Sequence, residues 1–218
     1  MVKTTFLIRH GESTSNAGLS TADPGIAELT DLGREQAQLV SQIISVKPDL
    51  IITSPYIRAK QTAEPTINRF RPLAIAQWPI QEFSYLEPTR WAGSTMGQRL
   101  PAVIEYWEKA EPDYRDGPNS ETFTDFMARI DQLKTGLGSL SIDFALFFSH
   151  GLFLRGFLYR LFNSNQPVNS NFMRQFNFFC RGLEFPNCGI LKLSFHDGEL
   201  WHSPIEIAHI PEKIRTFK

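Results

Sequence analysis

The sequence has few cysteines and no excess of basic charge. It has only two cysteines, Cys180 and Cys188, in 218 residues. These are too few for a disulfide framework or a four-ligand structural zinc site, so both are expected to be reduced thiols. Its 22 basic and 23 acidic residues leave a net charge of −1. A nucleic-acid or membrane-surface protein needs a basic excess, so we expect no nucleic-acid and no membrane partner.

Long uninterrupted apolar runs are also absent. The most apolar stretch, residues 144–162, contains His150 and Arg155, whereas a membrane-spanning helix needs about 20 mostly apolar residues. The first apolar run ends at Arg9-His10 and is too short for a signal peptide. No repeat, low-complexity tract or Gly/Ser linker divides the chain. We therefore expect a cytoplasmic protein with a single domain over residues 1–218.

Hydrophobic patterns alternate between short strands and helices. They predict strands at residues 6–8, 50–53, 73–78, 144–148, 190–196 and 199–207, the last two joined by a turn at Asp197-Gly198. They predict helices at residues 29–44 with Thr30 as N-cap, from 54 to a kink or end at Pro65, and at 95–110, 121–137 and 151–162. This alternation predicts an α/β fold: a three-layer sandwich whose mostly parallel central sheet is covered by helices on both faces.

Three of the predicted strands end in polar residues suited to catalysis. Arg9-His10 follows the first strand, Thr53-Ser54 the second and Ser149-His150 the fourth. In sheets of this kind, ligands bind beyond the carboxyl ends of the strands. These residues are therefore predicted to share one site.

The segment from Leu7 to Asn16 combines groups that can bind and attack a phosphate. An arginine fork such as Arg9 suits a phosphate dianion, and a neutral imidazole such as His10 is a good nucleophile near pH 7. Gly11 then permits a sharp turn. The alternative is that Arg9 forms a surface salt bridge and His10 is a hydrogen-bonded loop residue, and this segment by itself does not decide between them.

Two further segments favour the catalytic interpretation. Arg58 falls in the first turn of the helix after the second strand, where it can point over the same sheet edge as Arg9. His150 follows a strand and precedes a glycine, Gly151, as His10 precedes Gly11. A zinc site is the rival interpretation, but no cluster of Asp, Glu or Cys accompanies either histidine. We therefore expect no metal and no other cofactor.

Four sequence blocks resemble the histidine phosphatase superfamily, also called the phosphoglycerate mutase-like family. They are Leu-Ile-Arg-His-Gly-Glu-Ser at 7–13 with Asn16, Leu29-Thr30 with Gly33 and Gln36-Ala37, Ser54-Pro55 with Arg58-Ala59 and Gln61-Thr62-Ala63, and Ser149-His150-Gly151. The blocks keep the family's order and cover roughly residues 4–160. The resemblance implies the phosphoglycerate mutase-like fold and a metal-independent phosphoric monoester hydrolase similar to the histidine acid phosphatases.

The resemblance also implies a role for each matching residue. His10 is the expected nucleophile, which becomes phosphorylated. Arg9, Arg58 and His150 are expected to hold the phosphoryl oxygens and to stabilise charge in the transition state. The remaining substrate-binding positions are Asn16 and Gly151.

Family members place a carboxylic acid after the third block, where it protonates the leaving oxygen. Glu82 is the preferred match, because apolar and aromatic neighbours favour the protonated form that a general acid needs. Glu87 is the alternative. After the leaving group departs, the same carboxylate is expected to activate the water that releases His10.

The sequence after this acid departs from the familiar branches. The Tyr-Gly stretch typical of the mutases is absent, and so are the Phe-Gly and Trp-Glu-Gly sequences of the shorter phosphatases. Residues 84–120 are expected to form an insertion that caps the substrate site. Within it and beside it, Arg90, Trp91, Arg99 and Trp107 are interpreted as ordinary packing and solvated charge, and the aromatic segment 174–181 as core or lid.

A phosphomonoesterase acting on a small phosphorylated metabolite is the leading prediction. One alternative is phosphoglycerate mutase-type phosphoryl transfer by the same residues. The other is an inactive binding member of the same fold, which would be expected to lack one of the core histidines or arginines. A homodimer is compatible with the sequence but not required by it.

Overall fold

A six-stranded sheet lies at the centre of the molecule. The computed structural model describes residues 3–20, 23, 25–196 and 199–217. The strands are β1 (Thr4–Arg9), β2 (Leu50–Thr53), β3 (Ala74–Gln77), β4 (Phe144–Ser149), β5 (Ile190–His196) and β6 (Glu199–His202). The helices are α1 (Asp31–Ile43), α2 (Ile57–Phe70), α3 (Met96–Lys109), α4 (Phe123–Ser139), α5 (Gly151–Phe162) and α6 (Ser170–Gly182), followed by a short 3-10 helix at Glu212–Ile214.

The order of the strands brings three distant parts of the sequence to one edge of the sheet. The order is β3-β2-β4-β1-β5-β6. The first four strands in this order run parallel, and β5 and β6 are antiparallel to their neighbours. Because β4 lies between β1 and β2, the carboxyl ends of these three strands are adjacent. The residues that follow them therefore meet, as the sequence predicted.

Helices cover both faces of the sheet, which creates two hydrophobic cores. Ile8, Val40 and Ala63 belong to the core between the sheet and helices α1 and α2. Leu7 and Phe153 belong to the core between the sheet and helices α3 to α6. Consecutive residues of β1 thus point to opposite faces, as the pleat of a strand requires. The predicted three-layer α/β sandwich with a mostly parallel sheet is confirmed.

Residues 84–120, the expected insertion, contain α3 and pack against the second core. Phe83, just before the insertion, stacks on Phe126 of α4 with ring centroids 4.4 Å apart. Trp107 of α3 is buried and lies 5.9 Å from Phe176 of α6, measured between ring centroids. The insertion is therefore a packed part of the molecule.

The first two helices differ in how well the sequence predicted them. Thr30 caps α1 as expected, since its hydroxyl accepts the N–H of Gly33 at 3.0 Å. Helix α2 begins at Ile57 rather than at Ser54, because the Ser54 N–H still donates to the sheet at the Phe148 carbonyl. The predicted kink or end at Pro65 is wrong as an end: the helix continues to Phe70. Helix α2 continues because its packing against the sheet stabilises it, although Pro65 has no N–H to donate to the preceding turn.

The C-terminal third contains a helix that the sequence analysis missed. Asn169 caps α6 by accepting the N–H of Phe172 at 3.0 Å. The helix buries Phe172, Met173 and Phe176, which recur at helical spacing, so the signal was present in the sequence. The segment interpreted as core or lid is this helix, although its Phe178 is exposed.

The last strand is shorter than predicted. β6 ends at His202 rather than at residue 207, because Pro204 has no N–H to continue the ladder. Beyond the proline, an isolated bridge joins Glu206 to Ile190. The predicted turn at Asp197-Gly198 lies outside the described residues.

The apolar stretch at residues 144–162 is divided between β4 and α5. His150 separates the two elements, and Leu154 and Phe157 of α5 are buried in the second core. In the part of the chain that the structure describes, no helix is long and apolar enough to cross a bilayer.

Two glycines allow the loop after β1 to contact the first turn of α1. A Cβ on Gly33 would overlap the backbone of Glu12, and one on Gly11 would lie 2.5 Å from the Gly33 carbonyl oxygen. Neither glycine has a positive φ. Gly11 is therefore needed for this close approach.

We expect Gly33→Ala to destabilise the protein by about 2 kcal/mol or more, because the new methyl group meets backbone that cannot move aside. Gly97→Ala is the matched control in the first turn of α3. Its nearest neighbour would be the Thr95 hydroxyl at 4.0 Å, and alanine favours a helix by up to about 1 kcal/mol. Urea unfolding of both variants measures the difference, and equal stabilities would contradict the close approach.

Candidate active site

A cavity of about 420 Å³ opens at the carboxyl ends of the parallel strands. It is lined by six of the predicted site residues: Arg9, His10, Asn16, Arg58, Glu82 and Gly151. The ring of His150 lies beside them, with its centroid 5.0 Å from that of His10. Glu87 is not among the residues described as lining the cavity. The structure thus brings the predicted residues together and leaves out the alternative acid.

His10 is held as a neutral imidazole with one defined tautomer. Its Nδ1 lies 2.6 Å from the carbonyl oxygen of Gly11, and its Nε2 lies 3.0 Å from Nε of Arg58. A carbonyl oxygen only accepts a hydrogen bond and a guanidinium only donates one. The proton is therefore on Nδ1, and the lone pair is on Nε2.

The surroundings of His10 keep this imidazole unprotonated. Burial lowers the pKa of His10 well below its usual range, and the positive charges of Arg58 and Arg9 lower it further. The hydrogen bond to Gly11 opposes this shift. The lone pair on Nε2 therefore remains available at neutral pH.

Arg9 and Arg58 supply two buried positive charges. Arg9, the last residue of β1, donates a hydrogen bond to the Phe185 carbonyl oxygen. Burial lowers the pKa of Arg9 to about 10, the charge of Arg155 also lowers it, and Glu82 raises it. Burial lowers the pKa of Arg58 as well, and Glu82 opposes that shift. A guanidinium whose pKa is about 10 is still protonated at neutral pH, so the site is electropositive.

Gly151 leaves room for the Arg9 guanidinium. A Cβ at this position would lie 3.1 Å from Nε and 3.3 Å from Cζ of Arg9. Any larger residue would therefore press on the charged group. Gly151 thus lines the cavity and leaves space there for the Arg9 side chain, and its predicted role in substrate binding stays a prediction.

His150 is fully buried and lies beside His10 and Tyr56. Its Nε2 is 2.7 Å from the hydroxyl of Ser54, and that hydroxyl accepts the N–H of Tyr56 at 3.2 Å. Its Nδ1 is buried without a hydrogen-bond partner among the described residues. Burial lowers the pKa of His150 well below its usual range, and the charge of Arg58 adds to this shift. His150 is therefore a neutral ring with one nitrogen that makes no hydrogen bond to the described residues.

Glu82 is held by backbone donors at the start of α5. Its carboxylate accepts the N–H groups of Leu152 and Phe153, each at 3.1 Å, and that of Phe83 at 3.2 Å. The N–H groups of a first helical turn lack partners within the helix and favour a negative group. The surroundings that we expected to be apolar and aromatic are therefore partly polar, because the first turn of α5 lies next to Glu82.

Two side chains fix the segment that carries Glu82. Ser149, at the end of β4, donates its hydroxyl to the Ile80 carbonyl oxygen at 2.6 Å. Arg129 of α4 donates to the Gln81 carbonyl oxygen at 3.0 Å. The carboxylate is thus placed by the sheet on one side and by α4 on the other.

Glu87 has a structural environment instead. It is buried, and its carboxylate accepts hydrogen bonds from the side chains of Asn119 at 3.0 Å and Thr89 at 2.7 Å. The bonds from Asn119 and Thr89 lower the pKa of Glu87 to about 2. Its carboxylate therefore holds the two ends of the insertion together.

The order and spacing of these residues agree with one family. The sequence profile of the histidine phosphatase superfamily, branch 1, matches residues 5–202. The chain belongs to this superfamily. An acid phosphatase of Mycobacterium tuberculosis is 31% identical over an alignment of 167 residues, which covers 71% of this chain and 73% of that protein.

Solved structures of this superfamily share the fold at lower identity. An α-ribazole phosphatase from Shigella flexneri is 20% identical with a TM-score of 0.71, over 93% of this chain and 95% of the other. A phosphoserine phosphatase from Entamoeba histolytica, solved with 3-phosphoglyceric acid, is 22% identical with a TM-score of 0.68, over 95% and 99% of the two chains. These likenesses confirm the phosphoglycerate mutase-like fold.

One residue that positions this histidine phosphatase site was missed by the sequence analysis. Asn187 is fully buried and donates to the His10 carbonyl oxygen at 3.0 Å and to Oδ1 of Asn16 at 3.2 Å. Its own Oδ1 accepts the hydroxyl of Thr216 at 3.0 Å. Asn187 lies in an irregular segment 171 residues after Asn16, so no local pattern could reveal the contact.

The insertion and α6 contribute further cavity residues that the sequence analysis assigned to packing or to solvent. Three residues that were predicted to be ordinary packing or solvated charge line the cavity: Trp91, Arg99 and Trp107. Arg155 of α5 and Arg181 of α6 line it as well. Arg90, by contrast, pairs with Asp116 at 2.8 Å. The sequence does not show whether a charged residue on a helix surface faces a cavity or the solvent.

Metal ligands do not gather in this region. Among the residues that the structure describes, no three His, Cys, Asp or Glu side chains are placed to hold a metal ion. Metal independence stays a prediction, which assays in the presence of a chelator can test.

Stability should fall below pH 6.5 because both site histidines are buried in the neutral form. Their pKa is lowered in the folded protein, so acid protonates the unfolded chain first and favours it. We expect each histidine to cost about 1 kcal/mol of stability between pH 6.5 and about pH 5.5.

Urea unfolding of His10→Gln and His150→Gln at the two pH values tests this, since each variant should lose less stability on acidification than the wild type. His202→Gln is the control, because His202 is exposed and lies outside the cavity. An unchanged pH dependence in both site variants would contradict the neutral, buried state.

Proposed function

We propose that the protein is a phosphomonoesterase that hydrolyses a small phosphorylated substrate through a phosphohistidine on His10. The observation that carries the proposal is the state of His10: a neutral imidazole with its lone pair on Nε2, next to two buried arginines in a cavity. A neutral nucleophile among fixed positive charges suits attack on a phosphate dianion.

In the first step, Nε2 of His10 attacks phosphorus and the ester P–O bond breaks. Arg9 and Arg58 donate hydrogen bonds to the phosphoryl oxygens, for which Arg58 exchanges its bond to Nε2 for bonds to the substrate. In this proposal the Ser54 hydroxyl donates a hydrogen bond to Nε2 of His150, so the ring proton is on Nδ1. His150 then donates a hydrogen bond from Nδ1 to a phosphoryl oxygen. These donors stabilise the charge of the transition state.

Glu82 gives its proton to the leaving oxygen. In this proposal the carboxyl of Glu82 carries the proton before the reaction. In the second step, the carboxylate takes a proton from water, whose oxygen attacks phosphorus. The P–N bond breaks, phosphate leaves, and His10 and protonated Glu82 are restored.

Residues 84–120 act as the cap of the substrate site in this proposal. The insertion contributes the cavity residues Tyr85, Leu86, Pro88, Trp91, Met96, Arg99, Val103 and Trp107. Its mainly apolar side chains exclude water from the reacting groups, which strengthens the electrostatic interactions with the phosphoryl group.

The relatives support hydrolysis over mutase-type transfer. The similar proteins described above are named as acid phosphatase, α-ribazole phosphatase and phosphoserine phosphatase. The complete set of Arg9, His10, Arg58 and His150 supports an active member over an inactive binding protein.

We expect His10→Ala to abolish both turnover of p-nitrophenyl phosphate and labelling of the protein by a ³²P-phosphoester. Without Nε2 there is no atom to carry the phosphoryl group. Samples are quenched in alkali, which preserves phosphohistidine, and assayed with a chelator present. His202→Ala, an exposed histidine outside the cavity, is the control. Turnover by His10→Ala together with an inactive His150→Ala would reverse the two roles.

Glu82→Gln should slow single-turnover cleavage of an alkyl phosphate by roughly 10²–10⁴-fold, because the alkoxide needs a proton. It should slow phosphorylation by p-nitrophenyl phosphate far less, since nitrophenolate leaves unaided. Any loss of rate in Glu87→Gln should be the same for both esters, because the Glu87 carboxylate holds the ends of the insertion together through Asn119 and Thr89. Equal damage to both esters by Glu82→Gln would mean that Glu82 positions groups rather than donating a proton.

A further inference from the structure

The cavity extends well beyond the residues assigned to the phosphoryl group. Its volume of about 420 Å³ falls in the range of pockets that enclose whole small molecules. Arg9, His10 and Arg58 occupy the end at the strand termini. The remainder is formed by the insertion, α5 and α6, and must contact the part of the substrate that leaves.

The charges that line the cavity are unbalanced. Among the described lining residues there are five arginines, at 9, 58, 99, 155 and 181, and one carboxylate, that of Glu82. The chain as a whole has a net charge of −1. Arg9 and Arg58 bind the phosphoryl group in the proposed function. The other three arginines line the part of the cavity that receives the leaving group.

Two of the three additional arginines are fixed in place by uncharged groups. Arg155 donates to the carbonyl oxygens of Gly151 at 3.0 Å and Cys180 at 2.9 Å. Arg99 donates to the carbonyl oxygen of Ser94 at 2.9 Å. These contacts orient the guanidinium groups without neutralising them.

None of the three arginines forms an ion pair with a carboxylate of the residues that the structure describes. Arg181 is exposed and lies in the last turn of α6, where a helix end by itself favours a cation. That preference does not explain why arginines from α3, α5 and α6 line the same cavity. An anionic ligand does.

We propose that Arg99, Arg155 and Arg181 form a second anion subsite, which rests on the proposed phosphatase function. The substrate is then a phosphomonoester whose leaving group carries a further negative group, either a carboxylate or a second phosphate. Arg155 lies beside the phosphoryl site, because it donates to the carbonyl oxygen of Gly151 and Gly151 packs against the Arg9 guanidinium. A leaving group with a positive charge is disfavoured by the same arginines.

Pairs of substrates that differ in the second anion test the proposal. We compare 3-phosphoglycerate with glycerol 3-phosphate, and fructose 1,6-bisphosphate with fructose 6-phosphate. The wild type should favour the member with the second anionic group in at least one pair by about 10-fold or more in kcat/KM, since hydrogen bonds to charged groups discriminate by this amount. The first pair reports a carboxylate and the second a phosphate.

Arg155→Gln and Arg181→Gln should each reduce that ratio by about 10-fold. Arg174→Gln is the matched control: it lies two turns from Arg181 on α6, is exposed, and is not among the described cavity residues, so the ratio should not change. Arg155→Gln removes two hydrogen bonds, so circular dichroism checks that this variant folds. Arg181→Gln removes no described side-chain contact, so it tests the subsite even if Arg155→Gln is unstable.

The outcomes separate this subsite from the phosphatase function itself. If the wild type hydrolyses both members of both pairs with similar kcat/KM, or if neither variant changes the ratio, the subsite is overturned and the phosphatase function stands. If the wild type releases phosphate from none of these esters nor from p-nitrophenyl phosphate, the proposed function fails first.

Discussion

The pairing of β4 between β1 and β2 is the constraint on which the candidate site depends. Parallel pairing on both sides of β4 places His150 beside His10 and beside Ser54, although about 140 residues separate the two histidines in sequence. The close approach of Gly11 and Gly33 then fixes the loop after β1 against α1. A change in this pairing would separate His10 from His150 and Ser54.

Burial determines the chemistry of the groups that meet there. Desolvation and the nearby guanidinium groups lower the pKa of both histidines, which therefore stay neutral, while Arg9 and Arg58 remain charged. Such a site is electropositive, and Glu82 is the one carboxylate among the described residues that line the cavity. The same reasoning extends along the cavity to Arg155, whose charge acts on Arg9.

Glu82 and Glu87 show how environment separates two residues of the same type. Glu82 lies at the N-terminus of α5 inside the cavity, whereas Glu87 is enclosed by hydrogen bonds within the insertion. The sequence around the two residues favoured Glu82 only through its neighbours and the resemblance to the family. The contacts that distinguish them come from Leu152, Phe153 and Asn119, all distant in sequence.

The sequence by itself determined the α/β class, most strands and helices, and the residues of the four family blocks, because hydrophobic periodicity and short motifs are local properties. It also determined that Arg9, Arg58 and His150 would lie near His10, since strand ends of a parallel sheet share an edge. Only the tertiary structure decided the tautomer of His10, the support by Asn187, and the arginines that line the outer cavity. These depend on contacts between residues far apart in the chain, for which no local pattern exists.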